Sequence, residues 1–148
     1  MEFLMKENNT KSVPRLIMGI GHHLKMRIDE KLSQNNLTVS QFKVLAFLWQ
    51  HNNEKINQKQ IHEFLEIKPS SMTKLIRLLQ GKKLIKKEID PDDSRNKIIK
   101  LTEKGMDIKR ICLQNMKQSE SYLLDDFTQQ EIDTLICLLL KIKKKIKN

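Results

Sequence analysis

Two groups of side chains in this chain have types and spacings suited to holding a polyanion. The first is Lys68, Ser70, Ser71, Thr73, Lys74 and Arg77, hydroxyls and long cations gathered in one short stretch. The hydroxyls can donate or accept, and the Lys and Arg side chains can reach phosphate oxygens or guanine edges. The second is Asp90-Pro91-Asp92-Asp93-Ser94-Arg95-Asn96-Lys97, with Lys86, Lys87 and Lys100 on either side. A guanidinium such as that of Arg95 is weakly hydrated and suits a narrow, strongly negative groove. Taken singly, each lysine is a replaceable phosphate contact. For Ser70 and Thr73, support of a helix start is as good a reading as contact with a ligand.

Enzymatic and metal chemistry find no comparable footing. No Ser/His/Asp, Cys/His or phosphate-loop pattern stands out, and no cofactor motif is visible. Cys112 and Cys137 lack CxxC spacing, so two ordinary thiols are expected rather than a zinc site or a disulfide. His22 and His23 are adjacent, hence on different sides of a helix, with one expected to be partly buried and the other wet. Asp90, Asp92 and Asp93 alternate like a calcium loop but lack its glycine and distal glutamate.

The elements that must position these side chains are written in caps and periodicities. Thr38 with Gln41 and Thr128 with Glu131 are capping boxes, each flanked by a hydrophobic staple, Leu37 with Phe42 and Phe127 with Ile132. Asn57 with Gln60 is a close relative, and Pro69 suits a first helical position. Apolar residues recur at helical spacing in six stretches, the first from about Pro14 to Ser33 and the last two long ones after Leu101. By contrast, Ile85-Lys87-Ile89 and Ile99-Leu101 alternate at period two. Between them a loop from Asp90 to Asn96 is predicted, longer than a usual hairpin turn.

Composition agrees with a nucleic-acid partner. The chain has 148 residues, enough for one domain or two small lobes, and a formal charge of +10. The excess is localised: residues 55–104 hold thirteen Lys/Arg against seven Asp/Glu, whereas residues 105–140 hold three against six. Helix, strand, charged loop, strand, behind a shorter helix, is the order of a winged helix-turn-helix, whose second helix enters a DNA major groove. The start, Met1-Glu2-Phe3-Leu4-Met5, has no apolar core for a signal peptide, and the longest apolar run, Leu135 to Leu140, is far short of a membrane span. A cytoplasmic protein with no membrane association is therefore expected.

The segment from Leu37 to Gly105 resembles the MarR family of bacterial winged-helix transcriptional regulators. The resemblance rests on Ile67-Lys68-Pro69-Ser70-Ser71-Met72-Thr73-Lys74-Leu75-Ile76-Arg77, on Leu84-Ile85, and on Asp90 to Arg95 running into Leu101-Thr102-Glu103-Lys104-Gly105. Helix order and chain length extend it over nearly the whole chain. One departure is Lys83, where the family usually has glycine before the first wing strand; if a left-handed residue closes the helix, Lys83 or its neighbour must accept strain, or else the turn is shifted. The resemblance implies that Arg95 enters the minor groove, held by an ion pair from Asp93, while Lys68, Ser70, Ser71, Thr73, Lys74 and Arg77 face the major groove and Lys86 and Lys97 add phosphate contacts.

The resulting expectation is a mainly α protein. Residues 37–101 would form the winged helix-turn-helix with its small β-hairpin wing, and residues 1–36 and 102–148 the dimerisation helices. A homodimer would present two recognition helices to half-sites roughly 34 Å apart on double-stranded DNA. The resemblance implies a ligand-responsive repressor acting at a pseudopalindromic operator, with a small-molecule effector pocket between the dimerisation helices and the winged module. It names no ligand-binding residue, and no metal, cofactor or catalytic residue is expected. The alternative is a nonspecific architectural nucleic-acid or membrane-surface binder, suggested by the lysine-rich tail Lys141 to Lys147.

Overall fold

The computed structural model describes residues 12–147. The opening run Met1 to Met5 lies outside them. Among the described residues six helices and one hairpin follow in the order α1 (Val13–Ser33), α2 (Val39–Gln50), α3 (Gln58–Leu65), α4 (Pro69–Gly81), β1 (Ile85–Asp90), β2 (Asp93–Leu101), α5 (Glu103–Leu124) and α6 (Gln129–Lys147). The chain divides into two compact units within α5, one ending at Cys112 and the other beginning at Leu113.

Local chemistry fixes the helix starts as the caps predict. Thr38 and Asn57 each form a complete reciprocal box, with Gln41 and Gln60 respectively. In the second unit Thr128 accepts the Glu131 N–H at 3.2 Å while Glu131 accepts the Thr128 N–H at 2.9 Å. Pro69 opens α4. Each box satisfies two backbone donors that the helix leaves without internal partners.

The first unit is held by one core. Leu45 and Val44 of α2, Ile61 of α3, Met72, Ile76 and Leu79 of α4, Ile85 and Ile99 of the hairpin, and Cys112 of α5 are all buried, and α1 adds Leu32. The helical stripes of α2, α3 and α4 thus converge beneath the hairpin, which leaves the opposite face of α4 to solvent. Trp49 ties α5 to this core, its Nε1–H donating to the Gly105 carbonyl at 2.9 Å. Gly105 is there because nothing larger fits: an added Cβ would stand 2.1 Å from the Leu84 carbonyl oxygen.

The turn from α4 into β1 places Lys83 at φ 59°, so of the alternatives open at this step it is Lys83 itself that takes the left-handed conformation. The hairpin departs from the prediction. Its strands run on past the expected seven-residue loop, and the turn is only Pro91-Asp92. The antiparallel register is regular from Ile85↔Leu101 to Ile89↔Lys97 and then jumps to Asp90↔Asp93. Ser94, Arg95 and Asn96 are therefore extra residues on β2, bulged out of the ladder.

In the second unit α6 has no buried residue, and Leu135, Ile136, Leu138, Leu139 and Leu140 are all exposed. Among the described residues no helix is long and apolar enough to cross a membrane.

Candidate nucleic-acid interface

Helix α4 presents its polar face to solvent. Lys68, Ser70, Ser71, Thr73, Lys74 and Arg77 are all exposed, alternating with the buried Met72, Ile76 and Leu79. The residue at the cap is Lys68, and its side chain makes no capping bond. Ser70 stands one residue inside the helix, beyond the position from which it would cap. The first backbone N–H groups of α4 thus point outward without a side-chain partner at the cap, a favourable environment for an anion.

Thr73 has a second occupation. Its hydroxyl donates to the Pro69 carbonyl at 3.0 Å and accepts from Gln58 Nε2 at 2.8 Å. It therefore joins the first turn of α3 to the first turns of α4, the two helices of the helix-turn-helix. Between them the chain turns through Glu66, at φ 54°, whose backbone closes α3.

The hairpin carries the second set. Arg95 is exposed in the bulge, and Lys97 is exposed one step beyond it. In place of the expected ion pair with Arg95, Asp93 accepts the Arg95 backbone N–H through Oδ1 at 3.0 Å. This Asx turn fixes the backbone and leaves the guanidinium toward solvent. Among the described residues no ion pair engages Lys74, Arg77, Arg95 or Lys97.

Lys86 behaves differently. It meets Glu88 at 2.7 Å, and Lys100 meets the other oxygen of the same carboxylate at 2.9 Å. Hydrogen bonds from Lys100 and Lys86 hold the Glu88 carboxyl at about 2, well below its ordinary value. Two cations of the wing are thus partly neutralised by one anion.

The charged partners that sequence reasoning missed lie beside the turn. Lys55 donates to Asp90 Oδ1 at 2.9 Å and also to Asp92. The Asp92 backbone N–H donates to the same Asp90 oxygen at 3.0 Å, and Asn96 Nδ2 donates to Asp90 Oδ2 at 3.2 Å. The Asp90 carboxyl is held below its usual range, first by the Asp92 N–H and then by Lys55. Lys55 is raised in turn, mainly by Asp92 and then Asp90. Lys55 and Asp90 are thirty-five residues apart, so no local pattern announces the pair.

The remaining sequence candidates stay apart from this surface. His22 is half-buried and His23 exposed on α1, with ring centroids 5.8 Å apart. Cys112 is buried, which raises its thiol pKa, and Cys137 is exposed on α6. Among the described residues no group of three or more His, Cys, Asp or Glu could hold a metal.

Known proteins are similar to this chain in sequence and fold. A model of the MarR family matches residues 37–97. The HTH-type transcriptional regulator SarZ of Staphylococcus haemolyticus is 30% identical over 107 residues, 71% of this chain and 69% of that protein. The multiple antibiotic resistance protein MarR of Escherichia coli is 28% identical over 129 residues, covering 86% of this chain and 88% of its own. Among solved structures, the Staphylococcus aureus MepR–DNA complex aligns with a TM-score of 0.80 at 26% identity, over 93% of this chain and 99% of that one. Wild-type MarR from E. coli in its apo form aligns at 0.74 and 27%, over 88% and 96%. The winged fold, the exposed polar face of α4 and these relatives agree: the chain belongs to the MarR family and is a transcriptional regulator, not an enzyme.

Proposed function

We propose that this regulator is a ligand-responsive repressor that binds a pseudopalindromic operator as a homodimer in the cytoplasm. The observation that carries the DNA reading is the pairing of two exposed, unpaired cationic sets on one unit, Lys74 and Arg77 on α4 and Arg95 and Lys97 on the hairpin. Helix α4 would lie in the major groove, with Ser70, Ser71 and Lys74 facing base edges and Lys68 and Arg77 bonding phosphates. Arg95 would enter the adjacent minor groove, where the negative potential favours guanidinium. Thr73 and Asp93 would act mainly by holding these elements in place, and Lys86 and Lys97 would steer the backbone. The structural relative solved as a DNA complex supports this reading.

The homodimer is supported by the apolar surface of α1, α5 and α6. Val13, Ile20, Ile111, Leu138 and Leu140 are about half exposed, and such area is stabilised by burial at about 25 cal/mol per Å². A second copy is the occupant that a two-fold DNA site requires. Repression would be relieved by an effector that binds more tightly to a state unable to span both half-sites.

The test is binding to the duplex upstream of the chain's own gene against a scrambled duplex, across a salt series, with wild type and Arg95→Ala. Preference for the native duplex, weakened by loss of Arg95, is expected. Equal affinity for both, with a steep salt slope and no effect of Arg95, would identify a nonspecific polycation instead.

A further inference from the structure

The ladder does not fix Arg95. Its register breaks between Ile89 and Asp90, so the bulged residues Ser94, Arg95 and Asn96 have no cross-strand partners. A long side chain on such a bulge would sample many directions unless something else held the backbone. What holds it is a set of polar side chains around the turn, and these reach out of the hairpin.

We propose that Lys55, Asp90 and Asn96 are positioning residues that lock the hairpin's tip to the N-terminus of α3, and so set where Arg95 stands relative to α4. The inference rests on the DNA reading given above. Asp90 is only 7% exposed although it adjoins the turn, and both of its oxygens are engaged. Asn96 links it onward, since its Oδ1 faces Asn57 Nδ2 at 3.5 Å. Asn57 is the cap of α3, its Oδ1 accepting the Gln60 N–H at 2.9 Å. One residue earlier, the Ile56 carbonyl accepts the Ile99 N–H of β2 at 2.7 Å. One residue later, Gln58 bonds Thr73 of α4. The start of α3 therefore touches both DNA-facing elements, the hairpin through Asn57 and the recognition helix through Gln58. Lys55 closes the circuit by binding two carboxylates, that of Asp90 just before the turn and that of Asp92 within it.

A lock of this kind has a signature that separates it from a direct phosphate contact by Lys55. In a double-mutant cycle on the full chain, wild type, Lys55→Met, Arg95→Ala and the double variant are titrated with a duplex enriched from a random-sequence pool by the wild-type protein. Loss of one charge-assisted contact corresponds to about tenfold in affinity, so Lys55→Met is expected to weaken binding about tenfold with Arg95 present and less than about twofold without it. Lys55→Arg, which keeps charge and reach, should restore most of the affinity. Equal losses in both Arg95 backgrounds would overturn the proposal, as would no loss in either. A second readout needs no DNA. Amide exchange at Asp92 and Arg95, whose N–H groups bond Asp90 and Asp93, should accelerate in Lys55→Met while exchange in α4 is unchanged. Unchanged exchange at both amides would refute the lock itself. Arg95→Ala without effect alongside accelerated exchange would refute the minor-groove role of Arg95, and the positioning proposal with it, while leaving the tether as a structural fact.

Discussion

Replacing Lys83 by glycine should stabilise this protein. The turn out of α4 is closed by two backbone bonds, Lys83 N–H to the Gln80 carbonyl at 2.9 Å and Leu84 N–H to the Leu79 carbonyl at 3.1 Å. Both require Lys83 to sit at φ 59°, where its Cβ crowds the backbone. That conformation costs a residue with a Cβ about 1–2 kcal/mol. Glycine removes the cost but gives back about 0.4–1 kcal/mol through the greater freedom of the unfolded chain. The net gain is about 0.5–1 kcal/mol, which for a chain of this size is a rise in melting temperature of about 1–4 °C. The Lys83 side chain is exposed and its carbonyl bond to the Thr102 hydroxyl, at 2.6 Å, survives the substitution. Thermal melts followed by circular dichroism would measure the change, with Lys83→Ala as control. Alanine keeps the left-handed cost and removes only the charge, so it should melt close to wild type. If alanine stabilises as much as glycine, relief of repulsion between neighbouring lysines is the cause and the backbone argument is wrong.

Three further outcomes follow from the same geometry. Gly105→Ala puts a Cβ 2.1 Å from the Leu84 carbonyl oxygen and should cost more than about 2 kcal/mol in urea unfolding; a wild-type midpoint would mean that α5 can move off the hairpin freely. Glu88 is depressed to about 2 from 4.5, so the stability it contributes is present above pH 4.5 and lost as pH falls toward 2. Glu88→Gln should therefore flatten that part of the acid-unfolding profile, and by freeing Lys86 and Lys100 it should tighten DNA binding and steepen its salt dependence. An unchanged salt slope would exclude both lysines from the phosphate contacts. Arg77→Ala should weaken matched and scrambled duplexes alike and reduce the salt slope by about one, whereas selective loss on the matched duplex would make Arg77 a base reader.

What was legible in the sequence was what is local. Thr38 with Gln41, Asn57 with Gln60 and Thr128 with Glu131 each bond a residue three positions away, so their types and spacing carry the whole instruction. The polar face of α4 was legible for a similar reason, because helical periodicity that buries Met72, Ile76 and Leu79 leaves Ser71, Lys74 and Arg77 outside. The hairpin tip was not. Asp-Pro-Asp-Asp-Ser reads as a loop, and nothing within it reveals that Asp90 pairs with Asp93 and extrudes Ser94, Arg95 and Asn96. Asp90 is moreover bonded to Lys55, a partner set by the fold and not by its neighbours in sequence.

The same distinction separates the candidate contacts from the residues that hold them. Ser70, Ser71, Lys74, Arg77 and Arg95 have the chemistry of contacts, and among the described residues none of them forms an ion pair. Thr73 and Lys86 have the same chemistry by type, but the fold has given each a partner, Gln58 and the Pro69 carbonyl for the one and Glu88 for the other, while the acceptor Asp93 is taken by the Arg95 N–H. A side chain whose bonding capacity is already used inside the protein can offer DNA only what remains. Residue type therefore picked out an exposed polar surface, while the division of that surface into side chains left without partners and side chains bonded inside the protein follows from distant pairings that no reading of neighbours along the chain could supply.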